Sequence, residues 1–314
     1  MRSGILSTAM ITEQTRGVYV ISATPFTESG AVDFESLDSL VEFYLEQGVH
    51  GITLLGMMGE AHKLTFDEAS AVVRRAVARV AGRVPVVVGV SHSSLEVMSA
   101  LARLAVDAGA GGVLVAPAAG LRTDDQTFAY YEAVAAALGP SIPWIYQDYP
   151  QSSAVYLSAT LFARMVGAFP AMVMLKAEDC PGLGKITRIR AEAERTGARR
   201  VGILVGNGGL YFPQSLRRGA DGVMTGFAYP DMLVQVYDRF VAGDADGAED
   251  VYDRYLPLVC YEQQPGYGLA VRKEILRRRG AIRSAKVRVP GPSLTAADVA
   301  DIDRLMARLA LRLR

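Results

Sequence analysis

Cysteine and histidine are scarce in this chain of 314 residues. The two cysteines, Cys180 and Cys260, are too few for a disulfide framework or a thiolate zinc site. The three histidines, His50, His62 and His92, are scattered and show no metal-ligand spacing. The sequence therefore predicts no metal site and no cofactor.

The chain also lacks an excess of charge and a long apolar run. Lysine plus arginine and aspartate plus glutamate both number 33, so the formal net charge is zero. This balance argues against a nucleic-acid partner held by a basic surface. No apolar run reaches the roughly 18 residues of a membrane span, and the opening MRSGILSTAM lacks a signal-peptide core. We expect a cytoplasmic globular protein without nucleic-acid or membrane partners.

Lysine is the third residue type in short supply. Five of the 33 basic residues are lysines, at positions 63, 176, 185, 273 and 286, which leaves 28 arginines. A guanidinium cannot replace an amine that must lose its proton and attack a carbonyl. A lysine needed for such chemistry must therefore be one of these five.

Short apolar runs without clear alternation recur along the chain. This pattern is typical of parallel strands that are buried on both faces. The runs are Gly17–Ala23, Gly51–Leu55, Val84–Val90, Gly111–Pro117, Ile142–Gln147, Val173–Lys176, Val201–Gly206 and Asp221–Gly226.

Helical patterns separate most of these runs. The predicted helices are Asp33–Gln47, Thr65–Val80, Ser94–Ala108, Asp124–Leu138, Ser158–Gly167 and Leu183–Thr196. Thr65 and Glu68 have the spacing of a capping box, and glycines such as Gly48, Gly109 and Gly219 suit left-handed helix ends.

Eight strands alternating with helices predict a (β/α)8 TIM barrel over residues 17–242. Residues 1–16 form an N-terminal segment. Residues 243–314 form a C-terminal helical extension, with helices at Ala245–Leu258, Tyr267–Arg279 and Thr295–Arg312. A doubly wound open sheet is the alternative, but no G-x-G-x-x-G motif follows the first strand.

A barrel of this kind carries its active site at the carboxyl ends of the strands. Lys176 stands out there, since it ends an apolar strand, where reduced solvation favours a nucleophilic amine. The alternative is a structural ion pair with Glu178 or Asp179. The residues expected near the strand ends include Thr24, Gly56–Glu60, His92, Gln147, Asp148, Lys176, Asn207 and Gly226.

The turn at Gly56–Glu60 has the sequence GMMGE. Its two glycines permit a tight turn whose backbone N–H groups point into the site, which suits a carboxylate. An ordinary strand-to-helix turn is the alternative. Met57 and Met58 would add an apolar wall, and His92 is a weaker candidate for a general base.

The chain resembles the dihydrodipicolinate synthase/N-acetylneuraminate lyase family from about Arg16 to the C-terminus. The matching features are ATPF at 23–26, G-x-x-G-E at 56–60, the strand-five segment ending at Pro150, Lys176 on strand six and the glycines at 222–226. The resemblance implies a barrel with a helical extension, usually assembled as a homotetramer. It also implies that Lys176 forms a Schiff base with a 2-oxo acid.

Three departures from the family pattern bear on the substrate. Met57 and Met58 replace two hydroxyl residues found in many members. When strand five is set between its prolines without a gap, Gln147 takes the position of the family's tyrosine. Tyr146 is then one residue early and on the opposite face, although a bulge would bring it back. Ser152 stands where synthases carry a carboxylate-binding arginine.

The strand-five segment and the later residues Tyr261–Gln263, Gly268 and Arg272-Lys273 resemble the sugar-acid branch of the family. That branch includes 2-keto-3-deoxy-sugar-acid dehydratases such as the L-2-keto-3-deoxyarabonate enzyme. The resemblance implies a lyase that dehydrates such an acid. A pyruvate-dependent aldolase, a synthase-like condensation and a non-catalytic keto-acid-binding protein are the alternatives. Met57, Met58 and Trp144 would favour the aldolase by lining a less polar pocket.

The predicted site comprises three catalytic candidates, Lys176, Gln147 and Asp148. Asp148 could serve as a base if it faces the pocket, whereas Gln147 can only orient a hydroxyl or water. The predicted substrate-binding residues are Met57, Met58, Gly56, Gly59, Thr24, Tyr146, Gly206, Asn207 and Gly226.

Overall fold

Eight parallel strands form a closed barrel in the computed structural model, which describes residues 9–313. The strands pair in sequence order, and β1 closes the barrel against β8. They are β1 (Gly17–Ile21), β2 (Gly51–Leu54), β3 (Val86–Gly89), β4 (Gly112–Val115), β5 (Trp144–Asp148), β6 (Met172–Ala177), β7 (Gly202–Val205) and β8 (Gly222–Thr225). The predicted TIM barrel is confirmed, and the open-sheet alternative is wrong.

Helices connect the strands on the outside of the barrel. They are α1 (Phe34–Glu46), α2 (Phe66–Val80), α3 (Leu95–Asp107), α4 (Asp124–Leu138), α5 (Pro150–Ser153), α6 (Ala159–Ala168), α7 (Leu183–Thr196), α8 (Phe212–Arg217) and α9 (Pro230–Val241). The sequence patterns predicted neither α5 nor the last two of these helices.

Local signals in the sequence set several helix ends. The Thr65 side chain accepts from the Glu68 amide, and the Glu68 carboxylate accepts from the Thr65 amide, as a capping box requires. Gly48, Gly109 and Gly219 have φ values of 76°, 104° and 91° beyond three helix ends. A residue with a Cβ rarely adopts this left-handed conformation, so these glycines end the helices at low cost.

Two apolar clusters lie on opposite sides of the strands. One fills the barrel and includes Tyr19, Ile21, Val87, Leu114, Ile145, Met174, Leu204 and Met224. The other lies between the strands and the surrounding helices and includes Trp144, Tyr146 and Leu175. Successive strand residues point to opposite faces, so every strand except β2 contributes apolar residues to both clusters. The apolar side chains of β2, Ile52 and Leu54, belong to the outer cluster alone.

Three helices follow the barrel: α10 (Ala245–Glu262), α11 (Gly268–Arg278) and α12 (Ala296–Arg312). Most residues of α11 are buried, including Arg272 and Lys273. Among the described helices, none is both long enough and apolar enough to cross a bilayer. The domain boundaries at 16 and 242 stay predictions, and the opening residues 1–8 lie outside the described part of the chain.

Candidate active site

Lys176 lies near the carboxyl end of β6 and points into the barrel, on the same face as Met174. Lys176 is buried, with only 3% of its surface exposed. The Nζ atom lies 2.8 Å from Glu178 Oε2, on the residue two positions further along the chain. The predicted amine is therefore buried at the mouth of the barrel beside a carboxylate.

Glu178 contacts three of the predicted site residues, Lys176, Gln147 and Asn207. Its Oε2 atom also accepts a hydrogen bond from Gln147 Nε2 at 2.8 Å, and Gln147 is the β5 partner of Lys176 in the strand register. The Asn207 side chain donates to the Glu178 carbonyl oxygen at 3.1 Å. A lysine, a carboxylate and an amide therefore meet in one buried contact.

Sequence reasoning treated Glu178 only as a possible structural partner of Lys176. The signal that could have identified it is its spacing of two residues from the lysine, since alternate strand positions share a face. Glu178 follows the end of β6, however, where strand periodicity no longer fixes a side chain's direction. The structure adds this residue to the candidate acid–base groups.

Gly206 provides the space that Glu178 occupies. A Cβ atom placed on Gly206 would lie 2.3 Å from both Cγ and Oε1 of Glu178. This is far inside van der Waals contact. Gly206 was predicted to bind substrate. In the structure its lack of a side chain leaves room for the Glu178 carboxylate.

The placement of strand-five residues corrects two predictions. Tyr146 lies on the outward face of β5, fully buried, with its ring centroid 4.7 Å from that of Tyr131. Trp144 stacks on the same ring at 5.5 Å. Neither side chain faces the barrel mouth, so Tyr146 is not a substrate-binding residue and Trp144 does not line an apolar pocket. The gapless placement of Gln147 toward the pocket is the one the structure adopts.

Asp148 also lies on the outward face of β5. Its Oδ2 atom is 2.7 Å from Lys185 Nζ of α7, and the same amine is 3.0 Å from Asp179 Oδ2. Burial raises the pKa of Asp148 to about 6, and the Lys185 ammonium opposes this shift. The expected catalytic base is therefore a structural group, because the outward direction of alternate strand residues separates it from Lys176.

The turn after β2 forms a short 3-10 helix, Met57–Gly59. Gly59 and Glu60 donate the hydrogen bonds that close it, to the Gly56 and Met57 carbonyl oxygens at 2.9 and 3.1 Å. The amides of Met57 and Met58 precede these donors and take no part in closing the turn. Met57 is 45% exposed, and Met58 packs against the cluster inside the barrel.

Thr24, which follows β1, supports this turn. Its hydroxyl is buried and donates to the Gly59 carbonyl oxygen at 2.6 Å. The hydroxyl is thereby committed to the protein backbone. The structure thus gives Thr24 a role in holding the turn after β2, in place of the predicted direct contact of its hydroxyl with substrate.

A buried ion pair fixes the other end of the turn. Glu60 Oε1 lies 2.5 Å from Lys273 Nζ of α11, with both side chains 0% exposed. Glu60 Oε2 lies 2.8 Å from Lys63 Nζ. Burial lowers the pKa of Lys273 to about 8, and Glu60 opposes the shift. The helical extension is thus attached to the predicted carboxylate site.

One cavity of 370 Å³ joins these parts. It is lined by residues that include Met57, Met58, Tyr149, Lys176, Glu178, Asn207, Gly226, Glu262, Gln263, Leu269, Arg272 and Pro290. Gly56, Gln147 and His92 line a neighbouring cavity of 410 Å³, which shares Met57 and His62 with the first. The barrel loops and the helical extension together enclose the site.

His92 has a local structural role. Its Nδ1 atom accepts a hydrogen bond from the Ser94 amide at 2.9 Å, at the start of α3.

Within residues 9–313, no three His, Cys, Asp or Glu side chains are grouped as metal ligands. The groups that line the 370 Å³ cavity include the Lys176 amine, the carboxylates of Glu178 and Glu262, the Tyr149 phenol, side-chain amides and the buried Arg272 guanidinium.

Known proteins match this chain over nearly its whole length. A model of the dihydrodipicolinate synthetase family matches residues 14–308. The L-2-keto-3-deoxyarabonate dehydratase of Azospirillum brasilense is 32% identical over 313 residues, which cover 97% of this chain and 99% of the relative.

Other relatives carry the synthase name. A 4-hydroxy-tetrahydrodipicolinate synthase of Syntrophobacter fumaroxidans is 33% identical over 281 residues, covering 88% of this chain and 92% of the relative. The crystal structure of a dihydrodipicolinate synthase from Rhodopseudomonas palustris is 43% identical, with a TM-score of 0.93 over 96% of this chain and 100% of that one.

Proposed function

The chain belongs to the dihydrodipicolinate synthetase family, and from this premise we propose that it dehydrates a 2-keto-3-deoxy sugar acid. It is a Schiff-base lyase of that family, whose members act on small 2-oxo acids. The observation that carries the finer proposal is the contact of Lys176 with Glu178 and, through the same carboxylate oxygen, with Gln147.

Lys176 is the proposed nucleophile. Its amine attacks the C2 carbonyl of the 2-oxo acid and expels water, which forms a protonated imine. The positively charged nitrogen then withdraws electrons from C2 and acidifies the hydrogens on C3. Burial supports this role because it shields the imine from premature hydrolysis.

Glu178 is the proposed acid–base group. Its carboxylate lies 2.8 Å from the nitrogen that becomes the imine, so C3 of the substrate would come close to it. It takes a proton from C3 and delivers it to the departing C4 hydroxyl, which leaves as water. Hydrolysis of the conjugated imine then returns a 2-oxo product and free Lys176. The net change is the loss of one water molecule.

Gln147 and the turn after β2 complete the proposed site. Gln147 donates to Glu178, which leaves its own carbonyl oxygen to accept from a substrate hydroxyl. The amides of Met57 and Met58 are proposed to hold the C1 carboxylate. Gly59 and Asn207 act through the shapes of the turn and of the loop after β7.

The second candidate is the condensation or aldol cleavage suggested by the synthase relatives. That chemistry also needs the imine, but the synthase reaction adds an amino aldehyde with its own carboxylate. Ser152 is exposed and cannot supply the bidentate grip of an arginine. Gln147, at the position of the family's strand-five tyrosine, cannot transfer a proton as a phenol does. Dehydration, in which Glu178 carries the proton, is therefore the reaction we favour.

Side-by-side kinetics test the proposal. We expect kcat/KM for a five- or six-carbon 2-keto-3-deoxy sugar acid to exceed that for pyruvate with aspartate semialdehyde. Release of a dehydrated 2-oxo product, identified by mass spectrometry, would support elimination. Efficient condensation with no turnover of any keto-deoxy acid would return the chain to the synthase reaction.

A further inference from the structure

A buried ion pair lines the 370 Å³ cavity around Lys176, on the side of the helical extension. Arg272 Nε of α11 lies 2.5 Å from Glu262 Oε1 of α10, with side chains 2% and 0% exposed. The other Glu262 oxygen accepts from the Ala228 amide at 3.2 Å. Both oxygens of the carboxylate are engaged, and the two charges compensate each other.

The guanidinium of Arg272 retains a buried donor. Among the described residues, no atom accepts a hydrogen bond from Nη1. This nitrogen lies against Gly226, where a Cβ atom would be only 2.5 Å away. Arg272, Gly226 and Lys176 all line the same 370 Å³ cavity. A buried donor costs free energy until an acceptor meets it, and a ligand in this cavity can bring one.

We propose that Arg272 determines substrate specificity by donating, through Nη1, to the terminal oxygen of the 2-oxo acid attached to Lys176. This inference rests on the proposed function and deepens it, since it assigns the end of the substrate that faces away from the C1 carboxylate. Gly226 contributes by leaving room for the guanidinium. Glu262 holds the guanidinium in place through Nε.

The charge of the pair selects the class of terminal group. Glu262 already compensates Arg272 in a buried setting, and burial raises the pKa of Glu262 although Arg272 opposes the shift. A second carboxylate would add an uncompensated negative charge beside it. A neutral hydroxyl accepts from Nη1 without this cost, so the subsite fits a terminal hydroxymethyl group.

Three ligands that differ at one carbon isolate this contact. They are 2-keto-3-deoxypentonate, which ends in CH₂OH, 4-hydroxy-2-oxopentanoate, which ends in CH₃, and 4-hydroxy-2-oxoglutarate, which ends in a carboxylate. The readout is the half-saturating concentration for covalent trapping by borohydride, which needs the imine but not the elimination. Pyruvate, which has no distal group, gives each enzyme variant its reference value.

We expect wild-type protein to bind the hydroxyl ligand about 10- to 100-fold more tightly than the methyl ligand, because a charged donor is left unpaired by the latter. R272K keeps the charge beside Glu262 but lacks Nη1, and it should reduce this preference to about threefold or less. The double variant E262Q/R272M removes both buried charges and should do the same. R278K, on the same helix but paired with Glu274 and Asp303, should keep the wild-type preference.

The outcomes separate this inference from the proposed function. If pyruvate is not trapped on Lys176, the Schiff-base proposal fails. Arg272 does not recognise the terminal group if pyruvate is trapped but the three ligands bind equally. The same conclusion follows if the preference for the hydroxyl ligand persists in both Arg272 variants. Tightest binding of the dicarboxylate would overturn the assignment of a neutral hydroxyl.

Discussion

Lys176 is the residue on which the chemistry depends, and its replacement gives the first prediction. Lys176→Arg should abolish turnover and borohydride trapping, because a guanidinium stays protonated and cannot form the imine. Peptide mass spectrometry after trapping with pyruvate should place the adduct on Lys176 in the wild-type protein. Lys286→Arg is the matched control and should be trapped like wild type. An adduct on Lys185 or Lys273 would contradict the assignment.

Glu178 gives the second prediction at the residue scale. Glu178→Gln should lower kcat by about 10²–10⁴-fold, the usual loss for a positioned acid–base group. Imine formation with pyruvate should remain measurable by borohydride trapping. A loss of kcat without a loss of trapping would show that Glu178 transfers a proton and does not merely pair with Lys176.

Asp179→Asn is the control for that experiment. Asp179 is the next carboxylate along the chain but contacts Lys185 rather than Lys176. We expect its replacement to reduce kcat by less than about tenfold, well below the loss for a missing acid–base group. Equal losses in the two variants would remove the special role of Glu178.

Strand periodicity explains which site residues could be predicted. With Lys176 inside the barrel, alternation placed Gln147 inward and Tyr146 outward, and the structure agrees with that gapless alignment. The same alternation sends Asp148 outward, so its candidacy as a base could have been rejected from the sequence. Arg272 could not be placed, because its approach to Gly226 depends on how α11 packs on the barrel.

At the scale of elements, Lys185 ties the end of β5 to the loop after β6. Its amine bridges Asp148 and Asp179, and the Glu178 amide donates to the Asp148 carbonyl oxygen at 2.9 Å. The position of the proposed acid–base group therefore depends on a buried cluster outside the cavity. This cluster contains a carboxyl group with a displaced pKa.

Asp148 supplies a prediction about pH. Its folded pKa of about 6 lies above the ordinary value of 3.8, so the folded state binds more protons between these values. The contribution of Asp148 to stability is full below pH 3.8 and is lost as the pH rises through 6. The free energy of unfolding of Asp148→Asn, measured in urea, should rise relative to that of wild type between pH 4 and 7, by about 3 kcal/mol at most.

Glu68→Gln serves as a control of opposite sign. Arg288 holds the pKa of Glu68 at about 2, below its ordinary 4.5, so its stabilisation is present above pH 4.5 and is lost as the pH falls toward 2. The variant should lose stability relative to wild type as the pH rises through this range. The same trend for both variants would contradict the raised pKa of Asp148.

The elements themselves were predicted unevenly. The observed ranges of α4 and α7 equal the predicted ones, although α4 is only weakly amphipathic and α7 has no side-chain N-cap. The six-residue α8 is too short for helical periodicity to stand out, and it follows the glycines of the loop after β7. The twelve-residue α9 was missed although it begins at Pro230, a residue favoured in the first turn of helices.

At the scale of the whole molecule, the helical extension and the barrel share one buried ion pair. Lys273→Met should lower the free energy of unfolding by about 3 kcal/mol, because it leaves the Glu60 carboxylate buried with fewer partners. Lys273 also donates to the Thr24 carbonyl oxygen at 2.8 Å. Its loss should therefore raise KM for 2-oxo acids as the turn after β2 loosens.

Arg277→Met is the matched control, measured by the same urea titration. Arg277 belongs to the same helix, but its side chain is 45% exposed in a pair with Glu274. An exposed pair contributes less than about 1 kcal/mol. Similar losses in the two variants would show that the buried pair is not a special attachment point.

The expected homotetramer stays a prediction, which light scattering on the purified protein can test.

Gly206 and Glu178 also constrain how this chain can change over evolutionary time. The φ of Gly206 is −108°, so a larger residue is excluded there by the Glu178 side chain rather than by a left-handed backbone. A mutation at 206 is therefore harmful while glutamate stands at 178, and becomes tolerable once that residue is shortened. The order of mutations matters, and a lineage that has fixed this glutamate retains the glycine with it.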